Sequence, residues 1–371
     1  MKKLLCIFMI VATTLNVGCF NYRDMNKLIF SLATILDVDT SGDIVLYGEF
    51  FKTHRYGEEK MGKEDRVIIK GRGETLLDAF YDINTLTGSP VAYDVNKVLI
   101  YTERAARAGM DVLVDSSLRN QKPTLREFMF IYCGNPEDLV NIQIRDENFI
   151  GLFLDNSMIY QGKLLNIARL RLDEYSNNRL MGSRVNIMPI IKTSEETKRD
   201  RLEFSGAAII IDDKMIGKIE KDEVEAYKFL MNDIKLGAIT TINPMNEGKV
   251  ISIDILKGST KKSIKYNGDR IKCDFKIDVR SSLEEAQKSI TLTEDNIRKQ
   301  VKESAEKTVK DRCENLLRKC KEENIDILNI QRELEVEYHG LNIENIMDKV
   351  DFNLDINIDI EGSQKINDSK Q

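Results

Sequence analysis

The sequence predicts an α+β fold: three mixed α/β domains in a row, the last carrying a long amphipathic helix and a terminal strand. Three observations lead there. Short apolar runs alternate with helical patterns through residue 190. An apolar repeat at steps of mostly four residues runs from Ile297 to Cys320, and strict apolar/polar alternation runs from Val350 to Ile360. The length of 371 residues suits two or three domains. A hydrophobic share of 42% suffices for real cores, and 31% charged residues describe a solvated surface rather than a lipid-embedded one.

The first twenty residues form a separate signal. Met1-Lys2-Lys3 is a basic start, and Leu4 to Ala12 is an apolar run. That run is shorter than the roughly 20 residues that cross a bilayer, and it fits the core of a secretory signal. Leu15-Asn16-Val17-Gly18-Cys19 then reads as a bacterial lipoprotein signal. Cleavage after Gly18 frees the amine of Cys19, and its thiol carries a diacylglyceryl group, with palmitate among the expected acyl chains. The usual leucine three residues before the cysteine is Asn16 here, with Leu15 one step earlier. An ordinary secretory signal and a short uncleaved anchor are the alternatives. Each buried CH₂ contributes about 0.8 kcal/mol, so two or three acyl chains hold a protein firmly on a membrane.

Loss of Lys2 and Lys3 with residues 1–18 takes the formal charge from −6 to −8. No basic patch stands out, which argues against nucleic acid as a partner. The acidic balance also argues against broad adhesion to anionic lipid. Cys6 leaves with the signal, and Cys133, Cys273, Cys313 and Cys320 show no disulfide framework. Cys313 and Cys320 fall about 10 Å apart on one helix, beyond disulfide reach. Two histidines and no CxxC argue against zinc.

Along the mature chain, the first domain is 19–190. Leu28–Leu36 and Ile44–Tyr47 read as strands around an Asp37–Asp43 turn. The turn resembles a calcium loop, but its twelfth position is Gly48 instead of glutamate, so a hairpin is the reading. Residues 52–66 are a polar loop. Val67–Lys70 is a strand, and Gly71–Thr75 leads into a helix over Leu76–Leu86. The third glycine of a dinucleotide fingerprint is missing there, replaced by Leu76. Val98–Tyr101 and Phe128–Cys133 are buried-type strands. Between them lie two short helices, the first stopped by Gly109. Asn135-Pro136 starts another helix.

Lys192–Arg201 is densely charged and reads as a linker. A small central domain, 202–258, follows. Phe204–Ile211 and Met215–Ile219 make a hairpin around Asp212-Asp213-Lys214, Glu223–Asn232 is a helix, and two strands close the unit. The third domain, 259–363, begins with the strand Ile271–Ser281. A capping box at Thr291-x-x-Glu294 opens the long helix. Ile297, Val301, Ala305, Val309, Cys313, Leu316 and Cys320 form its apolar stripe, which makes the two cysteines small core residues. In the terminal strand, the Asp/Asn side chains on alternate residues stand roughly 7 Å apart. They read as a solvated face, not a metal site. Residues 364–371 are a tail.

Catalytic signatures do not emerge. The chain has no P-loop, HExxH or G-x-S-x-G motif, and neither His54 nor His339 has a partner in sequence. The expectation is a protein that is not an enzyme and needs no cofactor.

The residues after the proposed anchor, Cys19-Phe20-Asn21-Tyr22-Arg23-Asp24-Met25-Asn26-Lys27-Leu28, resemble the mature start of the Ger(x)C spore-germination family. Gly18, Cys19, Arg23, Asn26 and Leu28 match that pattern, while Phe20 and Asn21 stand where the family has Trp and Asp. Gly73-Glu74-Thr75 is similar to the family's Gly-x-Thr helix entry. Val98–Ala106, Leu118-Arg119-Asn120 and the Gly206–Gly217 hairpin also match in order. The stretch after Asn324 departs from the family's Gly-rich pattern. The resemblance implies a lipid-anchored C subunit of a germinant receptor on the outer face of the spore inner membrane. It would act with a membrane-spanning A subunit and a transporter-like B subunit in nutrient-triggered germination. The ligand-binding residues are unknown. The alternative is a solute-capturing lipoprotein serving a transporter, and the absence of Trp and the small central domain speak against it.

Overall fold

Strands β1 (Ile29–Val38) and β2 (Ile44–Lys52) open the fold as an antiparallel hairpin. At its turn the Asp39 carboxylate accepts from the backbone N–H groups of Ser41 and Asp43 at 2.8 and 3.0 Å, the local bond that makes Asp a turn former. The computed structural model describes residues 28–52, 66–119, 125–145, 147–194, 200–288, 290, 292 and 294–363. Gly18 and Cys19, the rest of the signal segment, His54, Thr291 and the 364–371 tail lie outside the described residues.

β3 (Arg66–Gly73) adds to β2, and α1 (Leu76–Thr87) follows through a capping box between Thr75 and Asp78. The short β4 (Val91–Ala92) and β5 (Val98–Thr102) both run parallel to β1. Helices α2 (Glu103–Ala108) and α3 (Asp111–Arg119) lead to β6 (Phe128–Tyr132), parallel to β5. Then come α4 (Pro136–Val140), α5 (Ile150–Tyr160) and α6 (Leu172–Asn178), and β7 (Val185–Thr193), parallel to β6. The next two strands, β8 (Leu202–Ile211) and β9 (Lys214–Ile219), pair onward from β7. The strand order is β3-β2-β1-β5-β6-β7-β8-β9, with β4 beside β1.

The segment read as a linker thus connects two neighbouring strands of one sheet, and Thr193 pairs with Leu202. The expected central module is divided: its hairpin completes the first sheet, and its later strands join the second. The physical reason is that β8 is apolar on both faces, with Ala207 and Ile209 in one core and Ala208 and Ile210 in another, so it is buried as an inner strand of a covered sheet. The hairpin turn is as read, with Asp212 and Asp213 both at positive φ (47° and 62°), which suits a tight two-residue connection.

The second sheet follows α7 (Lys221–Leu230) and has the order β10 (Ala238–Ile242), β11 (Val250–Tyr266), β12 (Ile271–Ala286), β13 (Val350–Ser363). β13 runs parallel to β12, so the chain needs a long crossover. It is made by α8 (Asp295–Glu322), α9 (Ile330–Glu337) and α10 (Ile346–Lys349). All seven residues of the predicted stripe on α8 are buried against this sheet. Cys313 and Cys320 are free thiols inside that core, and burial pushes both up to about 12. The N-cap of α8 is Glu294, without a side-chain capping bond. Along β13 the Asp/Asn row is exposed, while Ile358 and Ile360 are buried.

Three cores hold the layers together. α1, α2, α3 and α6 cover one face of the first sheet, and α4 and α5 cover part of the other. The third core is continuous from Val185, Ile187, Ala207 and Ile209 of the first sheet, through Val224 and Phe229 of α7, to the second sheet and α8.

One buried charge positions α5. The β2 residue Glu49 is fully buried and accepts from Arg66 Nε at 2.6 Å and from the N–H groups of Ile150 and Gly151, each at 2.8 Å. It satisfies the first turn of α5, whose own N-cap, Phe149, offers no side-chain acceptor. A Cβ at Gly151 would sit 2.2 Å from the Leu32 carbonyl oxygen, so only glycine lets α5 approach β1 this closely. Burial raises the Glu49 carboxyl above its ordinary value, opposed by Arg66 and the two N–H groups. Glu49→Ala leaves Arg66 and the helix start without their acceptor. The expected loss is about 3–5 kcal/mol of unfolding free energy in urea titration; a loss within the error of that titration contradicts this role.

Candidate functional site

The carboxyl ends of parallel strands are the usual ligand position in open α/β sheets, and here that edge is a rim of ion pairs. Asp37, buried at the end of β1, accepts from Thr102 Oγ1 at 2.5 Å and pairs with Arg104. Thr102 also caps α2, accepting from the Ala105 N–H at 3.1 Å. Beside it Glu103 accepts from Lys218 Nζ at 2.9 Å and from Arg107 at 2.8 Å, and Lys218 also lies 3.4 Å from Cys133 Sγ. Burial pushes Glu103 upward, but the hydrogen bonds from Lys218, Cys133 and Arg107 outweigh it and hold the carboxyl down at about 2. Burial and the neighbouring Glu103 push the Cys133 thiol up to about 11. At the other end of the rim Tyr47 and Lys70 both donate to Glu137 Oε1 at 2.9 Å, and Arg72 pairs with Asp39 and Asp43 at 2.5 and 2.8 Å.

A nucleophilic cysteine needs a depressed pKa, and Cys133 has the reverse. Lys218, held by Glu103, keeps its proton above the ordinary range although burial opposes this. These groups are matched to each other, so the rim is built as a charged belt. A cleft of about 450 Å³ lies elsewhere, lined by Phe153, Leu164, Ile167 and Phe204 and by Gln161, Arg201, Glu203 and Lys221. Glu203 there is paired with Lys192 at 3.0 Å. His339, the histidine within the described residues, is exposed beyond the end of α9.

The most specific polar chemistry joins the two sheets. Lys228 of α7 is 2% exposed. Its ammonium donates to the carbonyl oxygens of Gly162, Leu164 and Ile167 at 3.1, 2.8 and 3.1 Å and lies 3.2 Å from Asp233. Burial lowers its pKa, with Asp233 opposing. A second bridge is the buried Asp326, which accepts from the N–H groups of Ile330 and Gln331 at the start of α9 and from Ser183 Oγ at 2.9 Å. Gly182, at φ +62°, sits against Arg332 and donates to Glu335 at 3.0 Å. Lys319 of α8 donates to the Lys218 carbonyl oxygen at 3.1 Å.

Sequence reasoning nominated only Gly18 and Cys19 as site residues, and both lie outside the described residues. It missed Glu49, Lys228 and Asp326. A signal existed for two of them: Glu49 interrupts the apolar run Ile44–Phe51, and Lys228 interrupts Tyr227–Met231. A lone charge in a buried run marks a paired group.

Comparison with known proteins agrees with this architecture. A family described as the spore germination protein N-terminal domain matches residues 21–193, and one described as spore germination B3/GerAC like, C-terminal matches residues 205–368. The spore germination protein GerQC of Bacillus cereus is 19% identical over 326 residues, covering 88% of each chain. A putative spore germination protein of Bacillus subtilis, YfkR, is 18% identical over 329 residues, 84% of this chain and 82% of its own. The crystal structure of the GerBC protein superposes with a TM-score of 0.57 at 16% identity, covering 88% of this chain and 96% of that one. The boundary between the two matched regions falls in the β7–β8 connection and the start of β8, so the C-terminal region supplies the last strands of the first sheet.

Removing the Lys228 ammonium tests the join. Lys228→Met keeps the aliphatic length but leaves three inward-facing carbonyls without a donor. The expected cost is about 3–5 kcal/mol in urea unfolding. A variant as stable as the parent would show that the carbonyls find other donors.

Proposed function

The chain belongs to the Ger(x)C family of spore germination proteins, and from that premise we propose that it is the lipid-anchored, non-catalytic C subunit of a germinant receptor. It sits on the outer face of the spore inner membrane and works beside membrane-spanning A and B subunits. The observation that carries this reading is positional. The N-terminal family match begins at residue 21, two residues after Cys19, so the stretch matched by the family follows closely on the proposed lipid site.

The structure supports a binding or scaffolding part in that complex. The named groups of the rim are satisfied by one another, and the Cys133 thiol is held protonated. Among the described residues no helix is long and apolar enough to cross a membrane, and acylated Cys19 supplies the membrane contact. A solute-capturing lipoprotein closes two lobes over its ligand by hinge motion. Here the two sheets share a core and the Lys228 and Asp326 bridges, which opposes such closure.

Fractionation of sporulating cells, with an assay for N-terminal lipid, tests the reading. The parent is expected in the spore inner membrane with lipid on Cys19. Cys19→Ala is expected to fold, to leave the membrane and to impair germination in response to nutrients. An unlipidated, soluble parent protein overturns the proposal.

A further inference from the structure

We propose that the amino-terminal edge of the first sheet, where β1 begins, is the face that lies against the lipid bilayer. This inference rests on the lipid anchor at Cys19. From Cys19 to Ile29 is a tether of ten residues, which spans at most about 33–36 Å when fully extended. β1 is itself ten residues long, about 33 Å. Resting the opposite edge on the membrane would require the whole tether, drawn taut, to run back along the full length of the sheet. With the amino-terminal edge down, a short part of its reach suffices.

The chain gathers several turns at that edge. The Ile29 N–H donates to the Pro90 carbonyl at 3.1 Å, Lys97 N–H to Leu32 at 3.0 Å, and Phe128 N–H to Lys97 at 3.1 Å. The last turn of α1, the connection before β5 and the turn before β6 are therefore neighbours of the tether's landing point. Each presents a large apolar side chain to solvent, Leu86 at 62% exposure, Val95 at 36% and Leu125 at 50%, with the exposed Asp94 and Arg126 beside the last two placed to reach the headgroup layer. Adjacent strands lie about 4.8 Å apart, so the connections before β5 and β6 fall along one short line. The opposite edge carries the ion pairs of Asp37, Glu103, Arg104 and Lys218, groups that are costly to bring to an apolar surface. With a net charge of −8 in the mature chain, contact by apolar side chains fits better than attraction to anionic headgroups. The occupant is the headgroup and upper acyl layer of a bilayer, entered shallowly.

The test uses the full lipidated protein in phosphatidylcholine vesicles that contain spin-labelled lipid as a quencher. A fluorophore is placed on Val95→Cys and on Leu125→Cys at the proposed edge, and on Ser41→Cys at the opposite one. The labelled parent gives the background from Cys133. Quenching several-fold stronger at positions 95 and 125 than at 41 supports the proposal. Equal quenching at the three positions, or stronger quenching at 41, overturns it while leaving the anchor intact. Failure of the parent to float with the vesicles overturns the anchor reading, and this inference falls with it. Strong protection at 95 and 125 in native spore membranes, without quenching in lipid vesicles, also overturns it, because a protein rather than lipid would then cover the edge.

Discussion

Lys228 is a charge with almost no water around it, and the relation of the two sheets depends on how it is satisfied. An ammonium has three donors, and three backbone carbonyls between Gly162 and Ile167 meet it at 2.8–3.1 Å. Those carbonyls follow directly on α5, and α5 is itself held at its start by Glu49, which Arg66 pairs with from β3. A single mechanical chain results. Arg66 and Glu49 set α5, the end of α5 sets the carbonyl cluster, and the cluster sets α7. α7 packs on α8 in one core with the second sheet. Leaving either buried charge unpaired is costly, so each link prefers one arrangement.

The two family regions are interleaved rather than placed side by side. The C-terminal region begins in β8, and its first hairpin completes the first sheet before the chain leaves for the second. Ser183 and Gly182 in the connection before β7, and Lys218 in β9, then contact Asp326, Glu335 and Lys319 of the second unit. The two regions therefore share one core and several polar bridges. That join is poorly suited to closing around a solute.

Much of the element content was legible in the sequence, because it follows from local periodicity. The Asp39 turn, the stop at Gly109, the stripe on α8 and the alternation in β13 all appear where residue spacing places them. The misreading arose at Lys192–Arg201, where charge density suggested a linker. A charged hairpin connection looks the same in composition, and only the pairing of Thr193 with Leu202 separates the two. Lys228 shows the other limit. Its place in an apolar run marks it as buried and paired, but its partners are carbonyls more than sixty residues upstream, and carbonyls carry no residue identity. The proposed lipid site rests on sequence alone, since Gly18 and Cys19 precede the described residues.

The central claim is that the two matched regions fold and hold together as one body. Differential scanning calorimetry of the unaltered protein, followed in parallel by a probe in each sheet, tests it most directly. The account predicts one transition, coincident for both probes, with calorimetric and van't Hoff enthalpies equal. Two separable transitions, one belonging to each sheet, would contradict it.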